Sequence, residues 1–188
     1  FGYTCKLLAI GEKGKGGVSL RVHPTFVSDD HLLANVHGSF NAISVEGHAA
    51  GQTLYFGRGA GGKPTSSAVL SDILKIALGT APLLFSRLPL LTRKQAIPFI
   101  PSAEAISRNY LRVTALDVPG VMARITNILS KHNISVAGLN QHESKAGQPV
   151  PIIITTHESK NGDLLNALEE IDQLNDITAH TIRIPVLG

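Results

Sequence analysis

The chain has 188 residues, of which 43% are hydrophobic and 5% aromatic, and its formal net charge is +3. This length allows one large or two small domains, each able to bury its own core. The weak positive charge is scattered and is not interleaved with aromatic residues, which argues against nucleic acid as a partner. No apolar run has the length of a bilayer-spanning helix, so no membrane partner is predicted. Cys5 is the only cysteine, which excludes an internal disulfide and suits a reducing compartment.

The first part of the chain predicts four strands. Residues 3–10 and the alternating run 18–23 predict a hairpin around a glycine-rich loop. Pro24 is expected to interrupt the second strand, and Asp29 and Asp30 are expected to cap a short helix. Two further strands are predicted over 40–46 and 53–56. Together these runs predict a mostly antiparallel sheet with covering helices, whose last strand leads into a second glycine-rich stretch.

This stretch, residues 57–68, has the composition of an anion-binding loop. Gly57, Gly59 and Gly62 match the dinucleotide fingerprint G-x-G-x-x-G, and a strand, a glycine loop and a helix N-terminus form a common anion site. Pro64 stands where a phosphate-binding loop has its metal-binding hydroxyl, which argues against nucleotide triphosphate hydrolysis. Pro64 and Thr65 also predict that the helix starts after the third glycine. A purely structural turn remains an alternative.

The second half of the chain predicts a separate α+β sandwich. The apolar residues over 66–78 recur at helical spacing, and Gly79 is expected to end that helix. A proline-rich linker follows over 81–108, in which four prolines are expected to interrupt any regular element. A βαββαβ pattern then runs over 109–188 and predicts a ferredoxin-like fold with both helices on one face of an antiparallel sheet. Its predicted strands lie over 110–116, 134–139, 150–156 and 178–186, and its helices around 121–129 and 164–171.

These patterns resemble two known families. The segments Leu20-Arg-Val-His-Pro24, Phe40-Asn-Ala-Ile-Ser-Val-Glu-Gly47 and the glycine stretch from Gly57 resemble the later part of homoserine dehydrogenase. The module that contains Asp117-Val-Pro-Gly120 resembles the small ACT regulatory domain carried by many bacterial forms of that enzyme. The resemblance implies that residues 1–80 belong to the catalytic and dimerisation region, 81–108 to a linker and 109–188 to an ACT domain.

The resemblance also implies an activity and its partners. The family interconverts L-homoserine and L-aspartate 4-semialdehyde with NAD or NADP, in threonine and methionine biosynthesis, so we expect a cytoplasmic homo-oligomer, in particular a dimer. The family's catalytic lysine, acidic residues and main nucleotide fingerprint are expected upstream of Phe1, so this chain alone is expected to be inactive. Gly59, Ala60, Gly61 and Thr65 are the residues expected beside the cofactor.

A regulatory ligand site is predicted at the start of the ACT-like module. Asp117 would cap the first helix, Pro119 would occupy its first turn, and Gly120 would leave backbone N–H groups open to a carboxylate. An amide from Asn140 or Gln141 would bind an amino or hydroxyl group. The resemblance implies a free amino acid at this position, with threonine as the natural effector. The predicted ligand residues are Asp117, Gly120, Val121, Met122 and Asn140.

Other functions remain open on the sequence. The chain would be a non-catalytic amino-acid sensor if the ACT-like module only binds ligand and dimerises, and Asp117 would be purely structural if it only caps a helix. An independent dinucleotide-binding enzyme would need an acidic residue about 20 positions after the glycines, where the sequence has Arg87 and prolines. An RNA-recognition domain would carry stacking aromatic residues on its third strand, and residues 150–156 contain no aromatic residue. The histidines lack the spacing of a helical metal pair, and no metal site is predicted.

Overall fold

The computed structural model describes residues 2–14, 16–87, 97–141 and 147–187, with only the backbone of Leu84. The described residues form two compact units, one within 1–29 and 97–188 and the other within 30–96. The first unit contains β1 (Tyr3–Gly14), β2 (Gly17–Ser28), β5 (Ile106–Leu116), α3 (Val121–Lys131), β6 (Val136–Gln141), β7 (Pro149–Thr156), β8 (Ser159–Lys160), α4 (Asn161–Asp172) and β9 (Ile177–Leu187). The second contains β3 (Phe40–Gly47), β4 (Gly51–Arg58), α1 (Gly62–Ala77) and α2 (Thr80–Arg87).

The first unit is built on one seven-stranded sheet. Six strands follow the order β1-β2-β9-β5-β7-β6, and the short β8 pairs with β5. All pairs are antiparallel except β2 with β9, which are parallel and pair only at Phe26 with Val186 and Val27 with Leu187. The strands β5, β6, β7 and β9 with α3 and α4 form the predicted ferredoxin-like βαββαβ arrangement. The prediction of an α+β fold is thereby confirmed.

The core of this unit lies between the sheet and the two helices. Inward residues of β5 alternate with outward ones, and the apolar residues of α3 recur every three or four positions, so each element presents one apolar side. The buried cluster consists of Leu111, Val113, Ala115, Val121, Ile125, Ile128, Leu129, Ile134, Ile152, Ile154, Leu164, Ala167, Leu168 and Ile171.

A cluster of charged groups joins α3 to α4 outside this core. The carboxylate of Glu170 lies 2.9 Å from both His132 Nε2 and Lys131 Nζ, at the C-terminal end of α3. The hydrogen bonds from His132 and then Lys131 lower the pKa of the Glu170 carboxyl from its ordinary value. Because Lys131 is exposed and Glu170 is only half-buried, we expect the contact to add little to stability.

The N-terminal hairpin is confirmed, but the prediction that it shares a sheet with residues 40–56 is wrong. β1 and β2 pair along their whole length and extend the β5–β9 sheet through β2. The expected interruption at Pro24 is also wrong, since β2 continues to Ser28. At Pro24 the strand pairs with β1 alone, because β9 reaches β2 only at the next few residues. A proline without N–H is tolerated at such a one-sided position.

The predicted linker contains more regular structure than its prolines suggest. Pro82 lies in the first turn of α2, where the missing N–H has no intrahelical partner in any case. Pro98 accepts a hydrogen bond from Val18 N–H at 2.9 Å, and Val18 accepts one from Ile100 N–H at 3.0 Å. Residues 97–108 therefore belong to the first unit. Pro89 and the rest of 88–96 lie outside the described residues.

The second unit consists of a hairpin and two helices. β3 and β4 pair antiparallel from Phe40 with Arg58 to Gly47 with Gly51 and form a two-stranded sheet of their own. The short 3-10 turn Leu32–Asn35 is capped by His31, whose Nδ1 accepts from Leu33 N–H at 3.1 Å, so the cap predicted at Asp29 and Asp30 is wrong.

No single helix in the described part of the chain is long and apolar enough to cross a bilayer. The pair α1 and α2, bent by 84°, reaches that length and composition when the two helices are taken together.

Candidate functional site

The glycine stretch joins β4 to α1 in the second unit. β4 ends at Arg58, and α1 begins at Gly62 with Gly61 as its N-cap, so the predicted start after the third glycine is wrong. The first helical hydrogen bond runs from Thr65 N–H to Gly61 O at 3.1 Å. Pro64 therefore lies in the first turn, where an N–H has no intrahelical partner and its absence costs no bond.

Two of the glycines are distinguished by the geometry of this loop. A Cβ on Gly59 would lie 2.1 Å from Asn41 Nδ2, so a larger residue there would require the Asn41 side chain on β3 to move. Gly61 has a φ of +124°, a backbone conformation that side chains disfavour. By contrast, a Cβ on Gly57 would meet nothing within 4 Å. The loop conformation thus depends mainly on Gly61 rather than on glycine content as a whole.

The loop presents backbone donors to solvent. In the described part of the chain, the N–H groups of Gly62 and Lys63 have no acceptor, because they belong to the first turn of α1. Gly59, Ala60, Gly61 and Thr65, the predicted cofactor residues, are all exposed at this end of the unit. Next to them, Arg58 lies over the Phe40 ring with its guanidinium carbon 5.0 Å from the ring centroid. The arrangement suits the approach of an anionic group to the backbone.

This loop is not part of a dinucleotide-binding βαβ unit. Within the described residues, β4 pairs only with the antiparallel β3, and α1 is followed by α2 rather than by a parallel strand. The fingerprint needs a parallel sheet and a second strand that carries the acidic residue. The match of Gly57, Gly59 and Gly62 to that motif does not make this unit an independent nucleotide-binding fold.

The apolar side of α1 is uncovered in the second unit. The helix has no buried residue, although its apolar positions follow the predicted helical spacing. Six side chains are between 53% and 75% exposed. They are Val69, Leu70, Ile73, Leu74, Ile76 and Leu78.

The second candidate site lies where β5 leads into α3 in the first unit. The predicted capping role of Asp117 is wrong: the N-cap is Gly120, in the left-handed conformation at φ +88°, and it has no side-chain cap bond. Pro119 precedes the cap and does not lie in the first turn. Asp117 instead accepts a hydrogen bond from Gln141 Nε2 at 3.1 Å and is bonded through its backbone to Gly147 and Gln148.

The predicted ligand residues occupy different surroundings at this site. Val121 is only 3% exposed and belongs to the core, and Met122 packs partly against that core, so their contribution would come from the backbone. Asn140 is exposed on β6, and it neighbours Gln141, which contacts Asp117. Successive residues of a strand point to opposite faces. The structure therefore brings Asp117 together with Gln141 rather than with Asn140.

Backbone donors are also available here. Arg124 N–H donates to Gly120 O at 3.0 Å, which leaves the N–H groups of Met122 and Ala123 without an acceptor among the described residues. The Arg124 guanidinium forms an ion pair with Asp176 beside this turn. The sequence does not predict that the Ala123 N–H group is available to a ligand, because this depends on Gly120 being the N-cap of α3. The turn offers donors for a carboxylate, with the Asp117 carboxylate nearby for a cation.

The remaining candidate chemistry is limited. Among the described residues, no group of three or more histidine, cysteine, aspartate or glutamate side chains is placed to hold a metal ion. Cys5 is exposed on β1. Among the described residues, the turns at Gly61 and Gly120 are therefore the two sequence-predicted sites that offer free backbone donors to a ligand.

Comparisons with known proteins give two family matches within the chain. Residues 1–74 match the homoserine dehydrogenase family, and residues 109–176 match the ACT domain. Homoserine dehydrogenase of Helicobacter pylori is 38% identical over 177 residues, which cover 94% of this chain and 41% of the relative. The chain is thus similar to the later part of homoserine dehydrogenases, followed by an ACT domain. The homoserine dehydrogenase of Pseudomonas aeruginosa is 35% identical over 190 residues, covering 98% of this chain and 44% of the relative.

A solved structure agrees with these family matches. A crystal structure of a homoserine dehydrogenase from Thiobacillus denitrificans matches 100% of this chain with a TM-score of 0.88 at 36% identity, and the match covers 43% of that chain. The predicted resemblance to the later part of homoserine dehydrogenase, followed by an ACT domain, is thereby confirmed. The chain spans less than half the length of the homoserine dehydrogenases it matches.

Proposed function

We propose that the chain is the C-terminal part of an NAD- or NADP-dependent homoserine dehydrogenase. In this proposal the whole enzyme interconverts L-homoserine and L-aspartate 4-semialdehyde in threonine and methionine biosynthesis, as a cytoplasmic dimer. Residues 1–80 supply the later catalytic and dimerisation region, 81–108 the linker and 109–188 the ACT domain. The observation that carries the proposal is the similarity to homoserine dehydrogenases over 94% to 98% of the chain.

The glycine turn would form one wall of the cofactor site. Gly59, Ala60, Gly61 and Thr65 bring exposed backbone to one end of α1, and the unpaired N–H groups there suit a phosphate or carboxamide oxygen. Hydride transfer also requires a second wall for the cofactor and a proton donor at the aldehyde oxygen. We assign the second wall to the family's nucleotide-binding region, on which the uncovered apolar side of α1 would pack, and the proton donor to the family's central region.

A chimeric enzyme tests this proposal. The chain is to replace the corresponding 44% of the Pseudomonas aeruginosa relative, and oxidation of homoserine with NAD⁺ and NADP⁺ is measured for the chimera and for the chain alone. We expect turnover by the chimera and none by the chain. A folded chimera without turnover would contradict the proposal, and turnover by the chain alone would contradict the assignment of the catalytic groups to another region.

A pair of glycine variants in the chimera tests the cofactor wall. Gly61→Ala forces a side chain into a φ of +124°, which costs about 1–3 kcal/mol and displaces the turn. We expect the KM for the cofactor to rise about tenfold while the KM for homoserine changes little. Gly57→Ala is the control, since its Cβ meets nothing within 4 Å. Equal effects of the two substitutions would remove the turn at Gly61 from the cofactor site.

The ACT domain would sense an amino acid, for which threonine is the proposed ligand. Its carboxylate would bind at the N-terminus of α3, at Gly120, Val121 and Met122, and Asp117 would hold its ammonium group. An amide would come from Asn140 or from Gln141, of which Gln141 is the one that contacts Asp117. The support is the pair of N–H groups of Met122 and Ala123, which have no acceptor among the described residues, and the half-buried carboxylate of Asp117 near the same turn.

Calorimetric titration of the chain with threonine tests this regulatory role. Asp117→Asn keeps the shape of the side chain but removes its charge, so we expect threonine binding to weaken at least about tenfold. Glu169→Gln, on the exposed side of α4, is the control and should leave binding unchanged. Absence of binding by threonine and other small amino acids would favour a domain that only dimerises. Binding combined with an inactive chimera would favour the alternative of a non-catalytic amino-acid sensor.

A further inference from the structure

A cavity of about 420 Å³ lies in the first unit between β2 and β9, away from the turn at Gly120. Its walls come from β2, β9, the start of β5, the 3-10 turn Ser102–Glu104 and the first residue of α4. None of the predicted site residues lines it. This volume falls within the range of small-ligand pockets, which is about 300–1,000 Å³.

The cavity is a consequence of the way β2 joins the sheet. β2 and β9 pair only at Phe26 with Val186 and Val27 with Leu187. Before these residues the two strands have no ladder between them, and Pro24 and Pro185, which lack an N–H, lie on opposite walls of the gap. The space is therefore built into the strand arrangement rather than left by poor packing of the core.

Arg183 on β9 is the principal polar group of this cavity. Its Nε donates to Asn109 Oδ1 at 2.7 Å, and its Nη1 donates to Asn161 Oδ1. Asn109 is fully buried and is itself fixed through hydrogen bonds to Ser107 and Thr156. Because a guanidinium has five N–H donors, three remain without a protein acceptor among the described residues. The guanidinium is thus held in place by two hydrogen bonds and retains N–H donors that a ligand could use.

The charge of Arg183 is not balanced by the described residues. None of their carboxylates lies within ion-pair distance of it. Arg21, the other arginine at the cavity, forms a two-point ion pair with Glu12, with both N–O distances 2.8 Å. Burial lowers the pKa of the Arg183 guanidinium from its ordinary value, as expected for a cation without an opposite charge. An anion in the cavity would supply that charge.

We propose that this cavity binds a small organic carboxylate through Arg183. The planar guanidinium matches a carboxylate in a two-point geometry, and the hydroxyls of Ser102 and Ser107 provide further donors on the same walls. Leu20 and Ile184 give the cavity apolar surface, which suits a short hydrocarbon body rather than a bare inorganic ion. The site is independent of the dehydrogenase function and of the proposed threonine site.

The test is an NMR titration of the full chain with butyrate, with 1-butanol and inorganic phosphate as comparison probes. We expect butyrate to shift the Arg183 Nε–H and Asn161 side-chain amide resonances saturably, with a dissociation constant of about 1 mM. 1-Butanol, which has the same apolar body without the charge, should shift neither resonance. Failure of butyrate to saturate by about 10 mM, or tighter binding of inorganic phosphate, would overturn the proposal.

Two variants separate the cavity from general surface charge. Arg183→Gln keeps a hydrogen-bonding side chain between Asn109 and Asn161 but removes the charge, and we expect butyrate to bind at least about tenfold more weakly. Arg112→Gln is the control, because Arg112 is exposed on the neighbouring strand β5. Equal affinities for Arg183→Gln and the unmodified chain would overturn the proposal. If Arg183→Gln does not fold, the wild-type titration decides alone.

Discussion

Replacing Ile125 with alanine is expected to lower the free energy of unfolding of the first unit by about 3 kcal/mol. Ile125 is fully buried in the middle of α3 and belongs to the cluster between the helices and the sheet. The substitution removes three carbon atoms from a packed environment, so the loss combines transfer free energy with the cavity that remains. Because the proposed threonine site lies one turn earlier on the same helix, the variant should also weaken threonine binding.

Hydrogen exchange of backbone amides in β5 and β7 measures this effect in the full chain, because amides of core strands report the opening of the whole unit. Leu165→Ala is the matched control. Leu165 lies on α4 but is 45% exposed, so its truncation should cost less than about 1 kcal/mol. A difference between the two variants of less than about 1 kcal/mol would contradict the assignment of α3 to the core.

The elements of the ACT domain were predictable because each carries a local pattern. Alternation in β5 and helical spacing in α3 are set by the requirement that one side of each element faces the core. The hairpin β1–β2 was predictable for the same reason. The sequence did not predict which sheet the hairpin joins, because the hairpin is attached to that sheet through two residue pairs, Phe26 with Val186 and Val27 with Leu187. No periodicity within the hairpin encodes a partner some 160 residues further along the chain.

The candidate sites show where residue identity alone is insufficient. Asp117 has the chemistry of an N-cap, yet Gly120 takes that place because its left-handed backbone turns the chain into α3. Arg183 was missed because an arginine on a terminal strand is typical of a surface residue. Its cross-strand pairing with the buried Leu111 places it on the side of the sheet that faces the helices. That placement depends on the strand register, which the sequence does not provide.

The second large effect is expected at Gly17, where Gly17→Ala should lower the free energy of unfolding of the first unit by about 2 kcal/mol or more. Its φ is +138°, and a Cβ there would lie 2.1 Å from the carbonyl oxygen of Pro98. The obstacle is backbone, so it does not move aside as a flexible side chain would. Relief requires the loss of the bonds that join Val18 to residues 98–100.

Gly16→Ala is the control for this prediction, since a Cβ on this neighbouring glycine would meet nothing within 4 Å and its φ is not positive. Its effect should stay below about 0.5 kcal/mol. The measurement is again amide exchange, with Val18 and Ile100 as local reporters and β5 as the reporter of the whole unit. If Gly17→Ala accelerates exchange only at Val18 and Ile100, the contact with residues 98–100 does not contribute to the stability of the whole unit, and the prediction is contradicted.

Faster exchange throughout β5 would show that the hairpin is an integral part of the ACT sheet. This outcome is expected, because β2 is the neighbour of β9 and β9 is the neighbour of β5. The hairpin lies within the residues that match homoserine dehydrogenase, whereas β5 and β7 lie within those that match the ACT domain. The two family segments therefore share one sheet, so a ligand that alters the ACT strands would act on backbone hydrogen-bonded to the dehydrogenase segment.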